Sequence, residues 1–138
     1  MNHREKVTLK KIPCANCGKS VITFEEGRLT SSHECPVCRQ RTTVYSVAGK
    51  QVVFSEQRLL RIFSYARSKK WTCAEHDGSS VVVTSVLPQD GNPLQLIIQI
   101  LCKSSRGWRK PLAHSSSLVV DMIALEAEML AAAPRAEP

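Results

Sequence analysis

The hydrophobic residues of this chain change period three times, and each change marks a different kind of element. Up to Phe54 they come in short β-branched or aromatic runs bounded by turn residues, which predicts strands. The runs cover about 7–12, Val21–Phe24, Leu29–Glu34, 42–47 and Gln51–Phe54. Glu25-Glu26-Gly27-Arg28 and Ala48-Gly49-Lys50 supply the turn chemistry between them. From Ser55 the spacing becomes three and four: Leu59, Ile62, Phe63 and Ala66 share one face of a helix over about 56–69. Ser55 suits its N-cap, Glu56 its positive end, and Arg67, Lys69 and Lys70 its negative end. Period two then returns. Trp71–His76, Ser79–Leu87 and Leu94–Cys102 read as strands, with Asp77-Gly78 as a hairpin and the run from Pro88 to Pro93 as a stop. Along the last strand Leu94, Leu96, Ile98, Ile100 and Cys102 take one face, and Gln95, Ile97, Gln99 and Leu101 the other. Residues 103–114 read as a loop. Ser115-Ser116-Ser117 caps a final helix over about 117–132, on which Leu118, Met122, Leu125 and Met129 make a stripe widened by Val119, Ile123 and Leu130. Glu126 falls inside that apolar arc, where a carboxylate is unexpected.

These elements predict an α+β protein of two parts. Residues 1–54 form a small antiparallel β unit. Residues 55–133 form a two-layer α-β-β-β-α domain, and 134–138 a disordered tail. Only Gly49-Lys50 and the short run to Phe54 separate the two, so a rigid junction is expected rather than a tether. The α-β-β-β-α order resembles that of a double-stranded RNA-binding domain and the first half of type III secretion chaperone-like folds. The RNA-binding domain starts its last helix with a Lys-Lys-x-x-Ala pattern, whereas this chain has Ser115-Ser116-Ser117-Leu118-Val119-Val120.

The first part is too small to be held by burial alone, and its cysteines supply what is missing. Cys14-Ala15-Asn16-Cys17 is answered by Cys35-Pro36-Val37-Cys38, with 17 residues between Cys17 and Cys35. Two CxxC pairs at that separation read as one four-thiolate metal site. Gly18 stands where such a turn needs a positive φ, and Pro36 pre-sets the second turn. The two stretches resemble the knuckles of a zinc ribbon. The resemblance implies one Zn²⁺ held by Cys14, Cys17, Cys35 and Cys38 in a structural role, because four thiolates leave no open position for water. Iron in a rubredoxin-like site is the redox alternative. His33, two residues before Cys35, fits a place beside the site, hydrogen-bonding a sulfur. Cys73 and Cys102 lie on predicted strands without a CxxC partner and read as inert buried thiols.

Charge adds a candidate partner. The formal net charge is +7 over 138 residues. Residues 1–50 hold nine Lys/Arg against four Asp/Glu, and residues 51–138 hold ten against eight. Arg58, Arg61, Tyr65 and Lys69 make a basic stripe on the first helix. Lys103, Arg106, Arg109 and Lys110 surround Trp108 in the predicted loop. Cations around an aromatic can track a phosphate backbone and stack a base, weakly and with little sequence preference. The competing readings are a solvated helix face and a tryptophan that anchors its loop. No apolar run reaches membrane-spanning length and no signal-peptide pattern opens the chain, so a cytoplasmic protein is expected. No acid/base pair, nucleophile constellation or phosphate loop stands out. The sequence thus predicts a non-enzymatic zinc-ribbon adaptor that binds nucleic acid or a regulatory complex through a basic surface. The alternative is a protein-interaction or chaperone-like dimer using the open sheet face or the last helix.

Overall fold

The computed structural model describes residues 8–72, 80–104 and 112–132. It is a mixed α and β protein with antiparallel sheets and two helices. The chain divides into two compact units, Met1–Leu60 with Gly91–Pro93 and Arg61–Asp90 with Leu94–Pro138.

In the first unit, strand β1 (Leu9–Pro13) pairs with β2 (Val21–Glu25), the register running from Leu9↔Glu25 to Pro13↔Val21. Strands β3 (Thr30–Glu34), β4 (Arg41–Val47) and β5 (Lys50–Ser55) form a separate three-stranded sheet in that order. The chain does turn at Gly27, whose φ is 91°. The strands on either side of that turn nonetheless belong to different sheets, because each pairs with the strand across its own knuckle. β4 and β5 are joined by a two-residue turn, Val47 pairing with Lys50. Ala48 (φ 51°) and Gly49 (φ 78°) are both left-handed, the backbone that matches a tight hairpin to the twist of its strands. β4 is the interior strand: Thr42, Thr43, Val44 and Tyr45 are buried in succession. Tyr45 meets Phe54 edge-on, with ring centroids 5.5 Å apart.

Helix α1 (Glu56–Ser68) follows β5 directly and matches the helical period of its sequence. Ser55 caps it as expected, its Oγ accepting from the Arg58 amide at 3.2 Å. Ile62 and Ala66 are its fully buried residues.

In the second unit the expected α-β-β-β-α order recurs, but its strands are displaced along the sequence. Trp71 and Thr72 have no regular structure, and the rest of the expected 71–76 strand with its Asp77-Gly78 hairpin lies outside the described residues. Strand β6 (Ser80–Gln89) runs on through Pro88, and β7 (Asn92–Ser104) begins before Pro93. The turn is thus only Asp90-Gly91, with Gly91 at φ 80°. Proline is tolerated at both places because β6 is an edge strand and Pro93 sits at the start of β7. The alternation of β7 is as its sequence reads: Leu96, Ile98, Ile100 and Cys102 are buried.

The larger correction concerns residues 112–121. The sequence predicts a loop and then a helix from 117, but the chain forms strand β8 (Leu112–Asp121). It pairs with β7 from Ser104↔Leu112 to Gln95↔Asp121. Ser116, Leu118 and Val120 turn inward while Ser115, Ser117 and Val119 are exposed, a period of two. Helix α2 (Met122–Ala132) starts five residues later than expected, and its cap is Asp121, whose Oδ1 accepts from the Ala124 amide at 2.9 Å, not the serine run. Met122 and Leu125 are buried on α2, whereas Ile123 and Leu130 are exposed. The helix therefore buries a narrower face than its sequence suggests. Glu126 sits half-buried at its margin.

Candidate metal centre

Each CxxC pair lies on a turn leaving a strand. β1 ends at Pro13 and the chain folds back through Cys14–Ser20 into β2; β3 ends at Glu34 and Cys35–Gln40 leads into β4. The two turns are built alike. The Gly18 amide donates to the Cys14 carbonyl at 2.9 Å, and the Arg39 amide to the Cys35 carbonyl at 2.9 Å. Each is closed at its base, by the Cys14 amide on the Ser20 carbonyl (2.8 Å) and the Cys35 amide on the Gln40 carbonyl (2.9 Å). Gly18 is left-handed, as its place predicts, at φ 69°. The equivalent residue of the second turn is Arg39, and it adopts φ 65° despite its side chain.

The turns bring the four sulfurs together. All four Sγ atoms lie within 4.8 Å of one another. Cys14 and Cys38 are 3.8 Å apart, and Cys17 and Cys35 are 3.7 Å apart. A tetrahedron with metal–sulfur bonds near 2.3 Å has edges of about 3.8 Å. The donor set fits a metal ion both in chemistry and in size. Cys14 and Cys35 are buried in one cluster with Ile22, and Ile12 packs against it.

Hydrogen bonds to sulfur come from the turns and from side chains the sequence did not single out. The Asn16 and Lys19 amides donate to Cys14 and Cys17, and those of Val37 and Cys38 to Cys35, each at 3.4 Å. The Ser20 hydroxyl is 2.9 Å from the Cys35 sulfur, and Thr42 donates to Cys14 at 3.8 Å. Ser20 and Thr42 each follow a CxxC pair by a few residues, the signal that would have located them. His33 is half-buried on β3, opposite Thr42 in the ladder.

These contacts set the acidity of the cluster. Burial opposes ionisation of Cys14, but the Cys17 and Asn16 amides and the Thr42 hydroxyl outweigh it and pull the thiol down to about 5. The Cys38 amide and the Ser20 hydroxyl draw Cys35 down in the same way, against its burial. At Cys38 the Gln40 amide favours the thiolate, yet burial and the three neighbouring sulfurs prevail and push it up to about 12. The neighbouring sulfurs thus oppose ionisation of Cys38. A cation at the centre removes that repulsion, and metal binding releases the remaining protons.

Arg58 lies over the Phe54 ring, 4.5 Å from its centroid, and donates to the Val53 carbonyl at 3.2 Å. Lys69 pairs with Glu128 at 2.7 Å and covers the Trp71 ring at 4.4 Å. Arg61 is exposed. Arg106, Trp108, Arg109 and Lys110 lie outside the described residues, as does Cys73; Cys102 is buried on β7.

No helix among the described residues is long and apolar enough to cross a membrane. Comparison of the chain with protein-family models, with curated proteins and with solved structures found no match in any of the three. What the site can do therefore rests on its own geometry.

Proposed function

We propose that the chain is a non-enzymatic binding module whose first unit is a zinc ribbon. The carrying observation is the set of four cysteine sulfurs within 4.8 Å of one another, two of the pairs at 3.7 and 3.8 Å, enough thiols to fill a tetrahedral shell. Such a shell suits Zn²⁺ or iron; zinc is the reading adopted, with a structural role, because a catalytic zinc keeps one position for water. In this reading the metal holds the two knuckles and presents a basic surface to nucleic acid or to an acidic regulatory complex.

The engagement of Arg58 and Lys69 within the protein moves the weight of that surface from α1 to Arg106, Arg109 and Lys110 around Trp108. A second reading draws on the outer face of the β7–β8 ladder, where Val119 is 55% exposed beside the half-buried Ile97 and Leu101. That face would serve a protein partner. One experiment separates them. Metal analysis and native mass are measured on the purified protein, followed by salt titration with single- and double-stranded oligonucleotides. One zinc per chain is expected. Neutralising Arg106, Arg109 and Lys110 together is expected to flatten the slope of log affinity on log salt by about two to three units. Absence of binding at low salt would reject the nucleic-acid reading in favour of the sheet face. Iron with a visible chromophore would replace the structural role with a redox one.

A further inference from the structure

Asn16 is the third residue of the first CxxC turn, and its side chain leaves that turn to bind two other elements. Its Oδ1 accepts from the backbone amide of Glu56 at 2.9 Å, and its Nδ2 donates to the Arg41 carbonyl at 3.0 Å. Glu56 is the first residue of α1, 40 positions away in sequence. Its carboxylate in turn accepts from the Arg41 amide at 3.3 Å. The three residues thus close a ring that joins the first knuckle, the start of β4 just after the second knuckle, and the start of the helix.

The ring is tied to the sulfurs. The Asn16 amide donates to Cys14 Sγ at 3.4 Å, and its Nδ2 lies 3.8 Å from the same atom. Thr42, fully buried, accepts from the Ala15 amide at 3.1 Å while donating to Cys14. The conformation of the Cys14–Cys17 turn therefore fixes where the Asn16 amide points. At the helix, the first four backbone N–H groups have no partner within α1. Ser55 satisfies that of Arg58 and Asn16 satisfies that of Glu56. One of the two caps is local in sequence, and the other is supplied by the metal knuckle.

We infer that Asn16 is a positioning residue that makes the start of α1 responsive to metal: with the knuckle closed on its ion the helix is capped at Glu56, and with the knuckle released that cap is lost. The inference rests on the structural-zinc reading above. An amide cap works only while its side chain is held at hydrogen-bond distance, and a four-residue turn too small to hold itself by burial is held by its ligands. Ser55, which needs no metal, keeps the third amide paired, so the response falls on Glu56 first.

The test is residue-resolved hydrogen exchange at Glu56 and Arg58 on the full chain, with metal bound, for wild type, Asn16→Ala and Asn16→Asp. Cobalt substitution with its thiolate charge-transfer band verifies the four-sulfur shell in each variant. Asn16→Ala is expected to bind metal with the wild-type spectrum while its Glu56 amide exchanges roughly two- to thirtyfold faster, the range for losing a helix cap. Asn16→Asp keeps an acceptor for Glu56 and is expected to restore its protection. In metal-bound Asn16→Ala, Glu56 should accelerate more than Arg58, which keeps its Ser55 cap, and chelation of the wild type should accelerate Glu56 as well. Unchanged Glu56 exchange in metal-bound Asn16→Ala overturns the inference. Should Asn16→Ala not fold, unchanged Glu56 exchange on chelating the wild type overturns it instead. A wild type that shows no thiolate band at all defeats the metal reading itself, which separates that failure from this one.

Discussion

The two units solve the same problem with different materials. In the first, four of the six residues clustered around Cys14, Ile22 and Cys35 are cysteines, and their sulfurs are held by amides and hydroxyls. In the second, Leu96, Ile98 and Ile100 come from one face of β7, and Met122 and Leu125 from α2. The first unit depends on a few directional contacts that must all be present together. The second depends on many non-directional ones, each replaceable in part. A defect in the first should therefore be all or none, and a defect in the second graded.

The most severe way to press this contrast is to remove the metal. Cys35→Ser, or chelation of the wild type, withdraws a binding free energy on the order of 10–16 kcal/mol. The amides of β1–β5 should lose protection while at least part of the helical signal of the second unit persists, read by exchange and circular dichroism. Order that survives chelation in β1–β5 would show that burial alone suffices there. The same loss is expected on acidification. Cys14 has a folded value of about 5 against an ordinary 9.0, so its contribution is complete above 9 and disappears as pH falls through 5. Metal release into a chromogenic chelator should rise as pH falls, because protons compete with the ion for the four thiolates, and full retention at pH 3 would contradict the thiolate description.

Ile98→Ala tests the other side. Ile98 is fully buried opposite Leu118, and a cavity there should cost about 2–5 kcal/mol. Denaturant unfolding is expected to weaken while zinc stoichiometry stays at one. A loss of metal in this variant would mean the units do not fail separately. A gain is expected from Arg39→Gly, since a non-glycine residue in the left-handed region carries a steric cost of about 1–2 kcal/mol, partly offset by the chain entropy of glycine. Thermal unfolding of the metal-bound protein should shift upward. A downward shift would show that Arg39, 3.9 Å from Glu34, contributes more by its charge than it loses in backbone strain. The smallest effect belongs to Lys69→Ala. Its pair with Glu128 is partly exposed, so about 0.2–1 kcal/mol is expected, readable as a modest salt-sensitive change in unfolding midpoint.

What could be read in the sequence followed the same divide. The cluster of four cysteines was legible because CxxC is a local pattern, and the buried face of β7 because alternation is local too. The cap at Ser55 was legible from one residue. β8 was not. Leu118, Met122 and Leu125 fit a helical spacing, and nothing within that window reports that Leu118 would be claimed by Ile98 across a ladder. Pairing outranked periodicity, and the β-branched Val119 and Val120 were the local hint. Pro88 and Pro93 misled in the opposite direction, since a loop reading ignores the positions where a strand admits proline. The contacts of Asn16 were invisible for the plainest reason. Its amide is one of many polar side chains until the fold brings Glu56 and Arg41 to it.

The order of these parts along the chain has a consequence for biosynthesis. All four clustered cysteines precede α1 and every strand of the second unit. On the zinc reading, a nascent chain would expose them to the ion while the remainder is still being translated, and proteins made from the N-terminus fold in that direction. The two knuckles can thus be knotted on the ribosome before β7 and β8, whose pairing spans up to 26 residues from Gln95 to Asp121, have both emerged. On that reading, in a zinc-starved cell the missing step would precede synthesis of the second unit, leaving β1–β5 open to proteases while β7 and β8 are still being made.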